Sequence, residues 1–126
     1  MEHPEGLFYS KTHEWAKYQN GEMTVGITDH AQSELSDVVF IELPKIGRVV
    51  KQEDPAVVIE SVKAAYDIYA PVSGKIVRAN AEIEKDPALV NKDPYGKGWL
   101  FVLGEVNQEE FKKLMDKNQY EVFLKR

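Results

Sequence analysis

The chain has no cysteine in its 126 residues. That excludes disulfides, thiolate zinc sites, iron–sulfur clusters and cysteine nucleophiles, and it requires any sulfur chemistry to arrive on a cofactor. Long apolar runs are also missing, since nothing approaches the ~18 consecutive residues that a membrane-spanning helix needs. Basic charge is scarce, with 16 Lys and Arg against 21 Asp and Glu and a formal net charge of −5. Nucleic acid and anionic lipid are therefore poor partners, because such binding needs clustered cations to displace counterions. The acidic start Met1-Glu2-His3-Pro4-Glu5-Gly6 has neither the basic and apolar regions of a secretory signal nor the Arg/Ser-rich character of a transit peptide. A cytoplasmic protein, or one already processed, is expected.

What remains suits one soluble globular domain spanning 1–126, with 43% hydrophobic and 29% charged residues. The opening reads as β structure, with Leu7 to Trp15 a short mixed segment and Asn20-Gly21 a strong signal for a hairpin loop before Met23-Thr24-Val25-Gly26-Ile27-Thr28. Asp29 is placed to cap a short helix near 29–35, with Gln32 three residues on. The run Val38-Val39-Phe40-Ile41 reads as a buried strand, and Trp99-Leu100-Phe101-Val102-Leu103 as a last core strand. Asn107 is expected to cap a C-terminal helix, with Glu110 completing a capping box and Phe111, Leu114 and Met115 on one face.

A weak internal repeat runs through the middle. Pro44-Lys45-Ile46-Gly47-Arg48-Val49-Val50 is matched by Pro71-Val72-Ser73-Gly74-Lys75-Ile76-Val77, and Asp54-Pro55-Ala56-Val57-Val58 is echoed by Asp86-Pro87-Ala88-Leu89-Val90. Two turn–strand–turn–strand copies predict a small β sandwich or flattened barrel with quasi-twofold symmetry, because either half alone would leave an apolar face uncovered. Between the copies, Ala56 to Pro71 reads as strand, tight connection, strand, with Lys63 near the tip. Its neighbours Ser61, Val62, Ala64 and Ala65 are small or uncharged, so the amine has no salt-bridge partner beside it in sequence and another protein has room to grip the turn. An exposed ammonium on a rigid hairpin suits enzymatic acylation, which removes its charge. The histidines His3, His13 and His30 are not in metal-ligand spacing, and no nucleophile elbow, phosphate loop or dinucleotide fingerprint is present.

Several motifs in order carry a resemblance: Ser10-Lys11-Thr12-His13-Glu14-Trp15, Gly26-Ile27-Thr28-Asp29-His30-Ala31-Gln32, Val39-Phe40-Ile41-Glu42-Leu43-Pro44, Glu60-Ser61-Val62-Lys63-Ala64-Ala65-Tyr66-Asp67-Ile68-Tyr69-Ala70-Pro71-Val72-Ser73-Gly74, and Leu89-Val90-Asn91-Lys92-Asp93-Pro94-Tyr95-Gly96-Lys97-Gly98-Trp99-Leu100. Together they resemble the H proteins of the glycine cleavage system over nearly the whole chain. The resemblance implies a mainly β sandwich of the lipoyl/biotinyl-carrier type, monomeric and without an active site of its own, and a lipoyl group attached to the residue that matches, Lys63. It further implies a shuttle. An aminomethyl group from glycine is received at a pyridoxal-phosphate decarboxylase, given up to a tetrahydrofolate-dependent aminomethyltransferase, and the arm is reoxidised by an FAD-containing dihydrolipoyl dehydrogenase, after a lipoate ligase or transferase has modified the lysine. Biotinyl carriers flank their lysine with methionines and lipoyl domains of 2-oxoacid dehydrogenases place Asp before it; here Val62 and Ala64 flank it. Glu60, Ser61, Val62, Ala64 and Ala65 are the expected recognition residues, and Thr28, Asp29, Glu34 and Asp67 the candidates for sheltering the loaded arm. Two rivals stand beside this reading: an H-like lipoyl relay or storage protein, and an unmodified β-sandwich binding module.

Overall fold

The structure is a computed structural model describing residues 3–126, so Met1 and Glu2 of the acidic N-terminal stretch lie outside the described residues. In chain order the strands are β1 (Phe8–Tyr9), β2 (Glu14–Gln19), β3 (Glu22–Ile27), β4 (Val38–Glu42), β5 (Val49–Val50), β6 (Pro55–Ser61), β7 (Ala65–Tyr69), β8 (Gly74–Ala79) and β9 (Phe101–Gly104). The helices are α1 (Asp29–Leu35), α2 (Glu82–Lys85), α3 (Leu89–Lys92) and α4 (Lys117–Leu124), with a 3-10 helix at Gln108–Lys113. Two sheets form: six strands in the order β1-β2-β3-β9-β8-β5 and three in the order β4-β6-β7. All pairings are antiparallel.

Local chemistry explains much of this. Asn20 and Gly21 both take positive φ, 54° and 77°. That twist matches a right-handed strand pair, so a two-residue loop joins β2 to β3, closed by the pair Gln19 and Glu22. Strand alternation then sorts side chains: Ile59 and its β4 partner Ile41 are buried while Glu60 and Phe40, one position along, face outward. Ile27, Ile41, Ile59, Ile76, Phe101 and Leu103 belong to the main core between the sheets. Each such apolar side chain contributes about 1.5–3 kcal/mol by leaving water. A second, aromatic cluster of Tyr9, Trp15 and Tyr120 ties α4 to the edge of the large sheet.

Packing corrects several expectations. Val38-Val39-Phe40-Ile41 is a strand buried only at its ends, Val38 and Ile41: a register shift between Val38 and Phe40 turns Val39 and Phe40 outward, 55% and 51% exposed. The side chain that caps α1 is Thr28, which accepts from Ala31 N, while Asp29 is the first helical residue and its Oδ1 accepts from Gln32 Nε2. The echo of 54–58 at 86–90 is not structural, since the first copy enters β6 and the second enters α3. The repeat holds for its first part, where β5 pairs with β8.

The C-terminal helix also lies further on than expected. Asn107 does cap a helical segment, accepting from Glu109 N, but that segment is the 3-10 helix. Glu110 makes no capping box; its carboxylate accepts from Ser73 N at 2.6 Å and from Ser73 Oγ at 2.9 Å. Met115 leaves the face of Phe111 and Leu114 to exchange two main-chain hydrogen bonds with Tyr9, each 2.8 Å. The capping box belongs instead to Asp116 and Gln119 at the start of α4.

Candidate functional site

β6 and β7 form a hairpin whose last ladder pair is Glu60 and Ala65, leaving Lys63 at the apex. Ser61 builds the turn. Its N–H donates to Ala64 O at 2.9 Å, and its hydroxyl oxygen accepts from Lys63 N at 3.1 Å and from Ala64 N at 3.3 Å. Only 9% exposed, Ser61 faces its own loop. Val62 is 65% exposed, and Lys63, Ala64, Ala65 and Glu60 are all exposed, so the small residues around the lysine leave it open from outside.

The lysine is held from one side. Lys63 Nζ donates to the main-chain carbonyl of Glu34 at 3.2 Å, and Val62 N donates to Asp37 O at 3.0 Å. Glu34 O lies in the last turn of α1, where carbonyls lack helical partners and the dipole is negative, an arrangement that accepts a cationic head group. The Glu34 carboxylate is engaged elsewhere, 2.9 Å from His30 Nε2. Among the described residues no carboxylate pairs with Lys63. An amide formed at Nζ would keep one N–H, enough to preserve the bond to Glu34 O, so the site fits an acyl group on this lysine.

The four residues expected around a loaded arm do not converge. Thr28 is fully buried, its hydroxyl shared between the α1 cap and Tyr120 Oη at 2.8 Å, so it does not face a mobile arm. Asp29 is half-buried and its main-chain N–H donates to Tyr95 Oη. Asp67 is exposed on β7 opposite Val58. Glu34 reaches Lys63 through its backbone.

Two features escaped the sequence reading. Glu14 is 1% exposed, and its carboxylate accepts from Ser10 Oγ and Thr12 Oγ1, both at 2.5 Å, and from Tyr69 N at 3.1 Å, joining the large sheet to β7. Burial pushes this carboxyl upward, while the hydroxyls and the amide pull it back down. It borders a cleft of about 470 Å³ that Gln52, Tyr69 and Pro71 also line. The alternating Ser10, Thr12 and Glu14 are the signal that was available. The fold also gathers the histidines: the His13 and His30 rings lie 4.7 Å apart, and His3 packs 5.1 Å from Tyr120. Burial holds His3 and His13 below the usual histidine range. Among the described residues no group of three or more acidic or histidine side chains is placed to hold a metal, and no helix is long and apolar enough to cross a membrane.

A two-sheet sandwich with a lysine at a hairpin apex has the architecture of carrier domains of the lipoyl/biotinyl type. Comparison with known proteins narrows the class. The family profile described as "Glycine cleavage H-protein" matches residues 7–126. The glycine cleavage system H protein of Thermus thermophilus is 50% identical over 124 residues, covering 98% of this chain and 97% of that one. That of Oceanobacillus iheyensis is 46% identical over 124 residues, covering 98% of each. A crystal structure of a glycine cleavage system H protein from Mycobacterium marinum superposes with a TM-score of 0.88 at 32% identity, covering 98% of this chain and 100% of the other. The chain belongs to the glycine cleavage H-protein family.

Proposed function

We infer that this protein is the lipoyl carrier of the glycine cleavage system and that Lys63 is its attachment point. The observation that carries the reading is the geometry of the hairpin: an exposed lysine, free of carboxylate partners, on a turn whose conformation Ser61 holds from within. When bound, the lipoyl group supplies a disulfide that can take up an aminomethyl group and later be reoxidised from the dithiol. The chain's own residues present and orient. Ser61 fixes the turn, Glu34 O and Asp37 O support it, and the uncharged Val62, Ala64 and Ala65 let a partner's active site close around the lysine. Tethering keeps the reacting end at high effective concentration near one small domain.

In this reading the protein works in the cytoplasm and carries instead of catalysing. It would visit a pyridoxal-phosphate glycine decarboxylase, a tetrahydrofolate-dependent aminomethyltransferase and an FAD-containing dihydrolipoyl dehydrogenase, after a lipoate ligase or transferase has acted on it. Intact mass and peptide mapping after treatment with a lipoate ligase should find one lipoyl group, on Lys63. The modified protein should then support glycine–bicarbonate exchange with the decarboxylase. Modification elsewhere would refute Lys63; correct modification without exchange would favour the lipoyl relay, and no modification under conditions that modify a control H protein would favour an unmodified binding module.

A further inference from the structure

Asn91 stands on α3, and all the hydrogen bonds its side chain makes go to the end of α1 and the start of β4. Its Oδ1 accepts from Val38 N at 2.9 Å, and its Nδ2 donates to Ser36 O at 2.8 Å and to Gln32 Oε1 at 3.1 Å. The first two bonds bracket Asp37, the residue whose carbonyl accepts Val62 N. Two residues before Ser36 is Glu34, whose carbonyl accepts Lys63 Nζ. The stretch that Asn91 grips thus supplies both external supports of the hairpin apex.

That stretch needs a grip. Ser36 sits at φ 60° and ψ −152°, a strained region that side chains rarely adopt and that persists only where the surroundings hold it. The clamp calls for one acceptor and two donors on a planar side chain, which an amide offers and a carboxylate or aliphatic group does not. Val90, fully buried beside it, anchors the short helix that carries Asn91.

We propose that Asn91 is a positioning residue for acylation of the carrier lysine: by holding the 36–38 turn it fixes the height and direction in which Lys63 is presented. The inference rests on Lys63 being the acylated residue. Acylation by an activated acyl adenylate first takes one proton from the Lys63 ammonium to solvent; the free amine then forms the Nζ–acyl bond as the acyl–phosphate bond breaks, AMP leaves with that bond's electron pair, and a second proton goes to solvent, leaving the amide N–H. A pre-ordered lysine lowers the ordering cost that the modifying enzyme would otherwise meet on binding.

The test uses the full-length unmodified protein and two variants, Asn91→Ala and Asn91→Asp, the latter retaining size and the acceptor for Val38 N. By NMR, amide exchange at Val62 should rise by about tenfold, as expected for loss of a support worth roughly one hydrogen bond. Exchange at Ile59 and Ile68, in the body of the same hairpin, should stay unchanged. With a lipoate ligase and lipoyl adenylate, KM for the protein should rise by about tenfold while kcat stays within about twofold. Unchanged Val62 exchange, an unchanged KM, or unfolding of both variants would overturn the proposal. Absence of acylation at Lys63 in the unsubstituted protein would refute the lysine assignment itself, and the positioning role with it, whatever the exchange data show.

Discussion

Trp15 and Gly26 face each other across β2 and β3, and a Cβ on Gly26 would come within 2.6 Å of the indole ring. The indole is 3% exposed and its N–H donates to Pro94 O at 2.9 Å, so it has neither room nor reason to move. Gly26→Ala should therefore destabilise the fold by about 1–3 kcal/mol, the usual cost of overpacking a filled interior. Urea unfolding followed by tryptophan fluorescence measures this. A change below about 0.5 kcal/mol, typical of an open surface site, would show that the ring can yield.

Lys63→Arg should leave the unfolding midpoint within about 0.5 kcal/mol of the unsubstituted protein, because the side chain is exposed and guanidinium keeps its charge. Carrier activity should vanish, since guanidinium does not form the amide. A folded Lys63→Arg protein that still completes the glycine cycle would contradict the attachment site.

Glu60 lies outward on β6 between Phe40 of β4 and Ala65 of β7, three residues before the lysine. Being exposed, it can change sign at a cost of about 0.5 kcal/mol or less. Glu60→Lys should nevertheless slow lipoylation, because charge reversal at a contact weakens the encounter with the modifying enzyme. Ligase kinetics and thermal melting on the same sample decide: unchanged kinetics would remove the recognition role, and a large melting loss would make Glu60 structural.

His13 predicts a pH dependence. Its ring packs on His30 and Phe123 and its Nδ1 lies 2.8 Å from Tyr120 Oη. Burial first, and then His30, hold its pKa below the ordinary value, with Glu34 opposing. A folded-state pKa below the unfolded one gives stability that is present above about pH 6.5 and is lost as pH falls. His3, lowered by burial as well, adds to the same trend. His13→Asn should lose less stability than the unsubstituted protein between pH 7.5 and 5.5, chosen as roughly a unit either side of the histidine midpoint. Asparagine suits the site because His13 has φ 72°, which asparagine tolerates. Equal losses in urea titrations at both pH values would refute the assignment.

Much of the architecture was legible because its determinants are local. Asn20-Gly21 specifies a hairpin through the positive φ both residues accept, the small residues around Lys63 mark a tight apex, and the polar Thr28-Asp29 pair opens a helix whichever of them caps it. Asp54-Pro55-Ala56 and Asp86-Pro87-Ala88 show where local reading stops, for nearly the same residues lead into a strand in one place and a helix in the other. The difference is that 55–61 finds two strands to pair with. Tertiary structure likewise decided that Phe40 faces out, that Glu14 can be buried, that Glu110 serves Ser73 instead of its own helix, and that Asn91 clamps the turn behind Lys63. Each of these involves a hydrogen-bonding or packing partner tens of residues away, for Glu14 the Tyr69 amide beside its near neighbours Ser10 and Thr12, and the chain declares no such distant partner until it has folded.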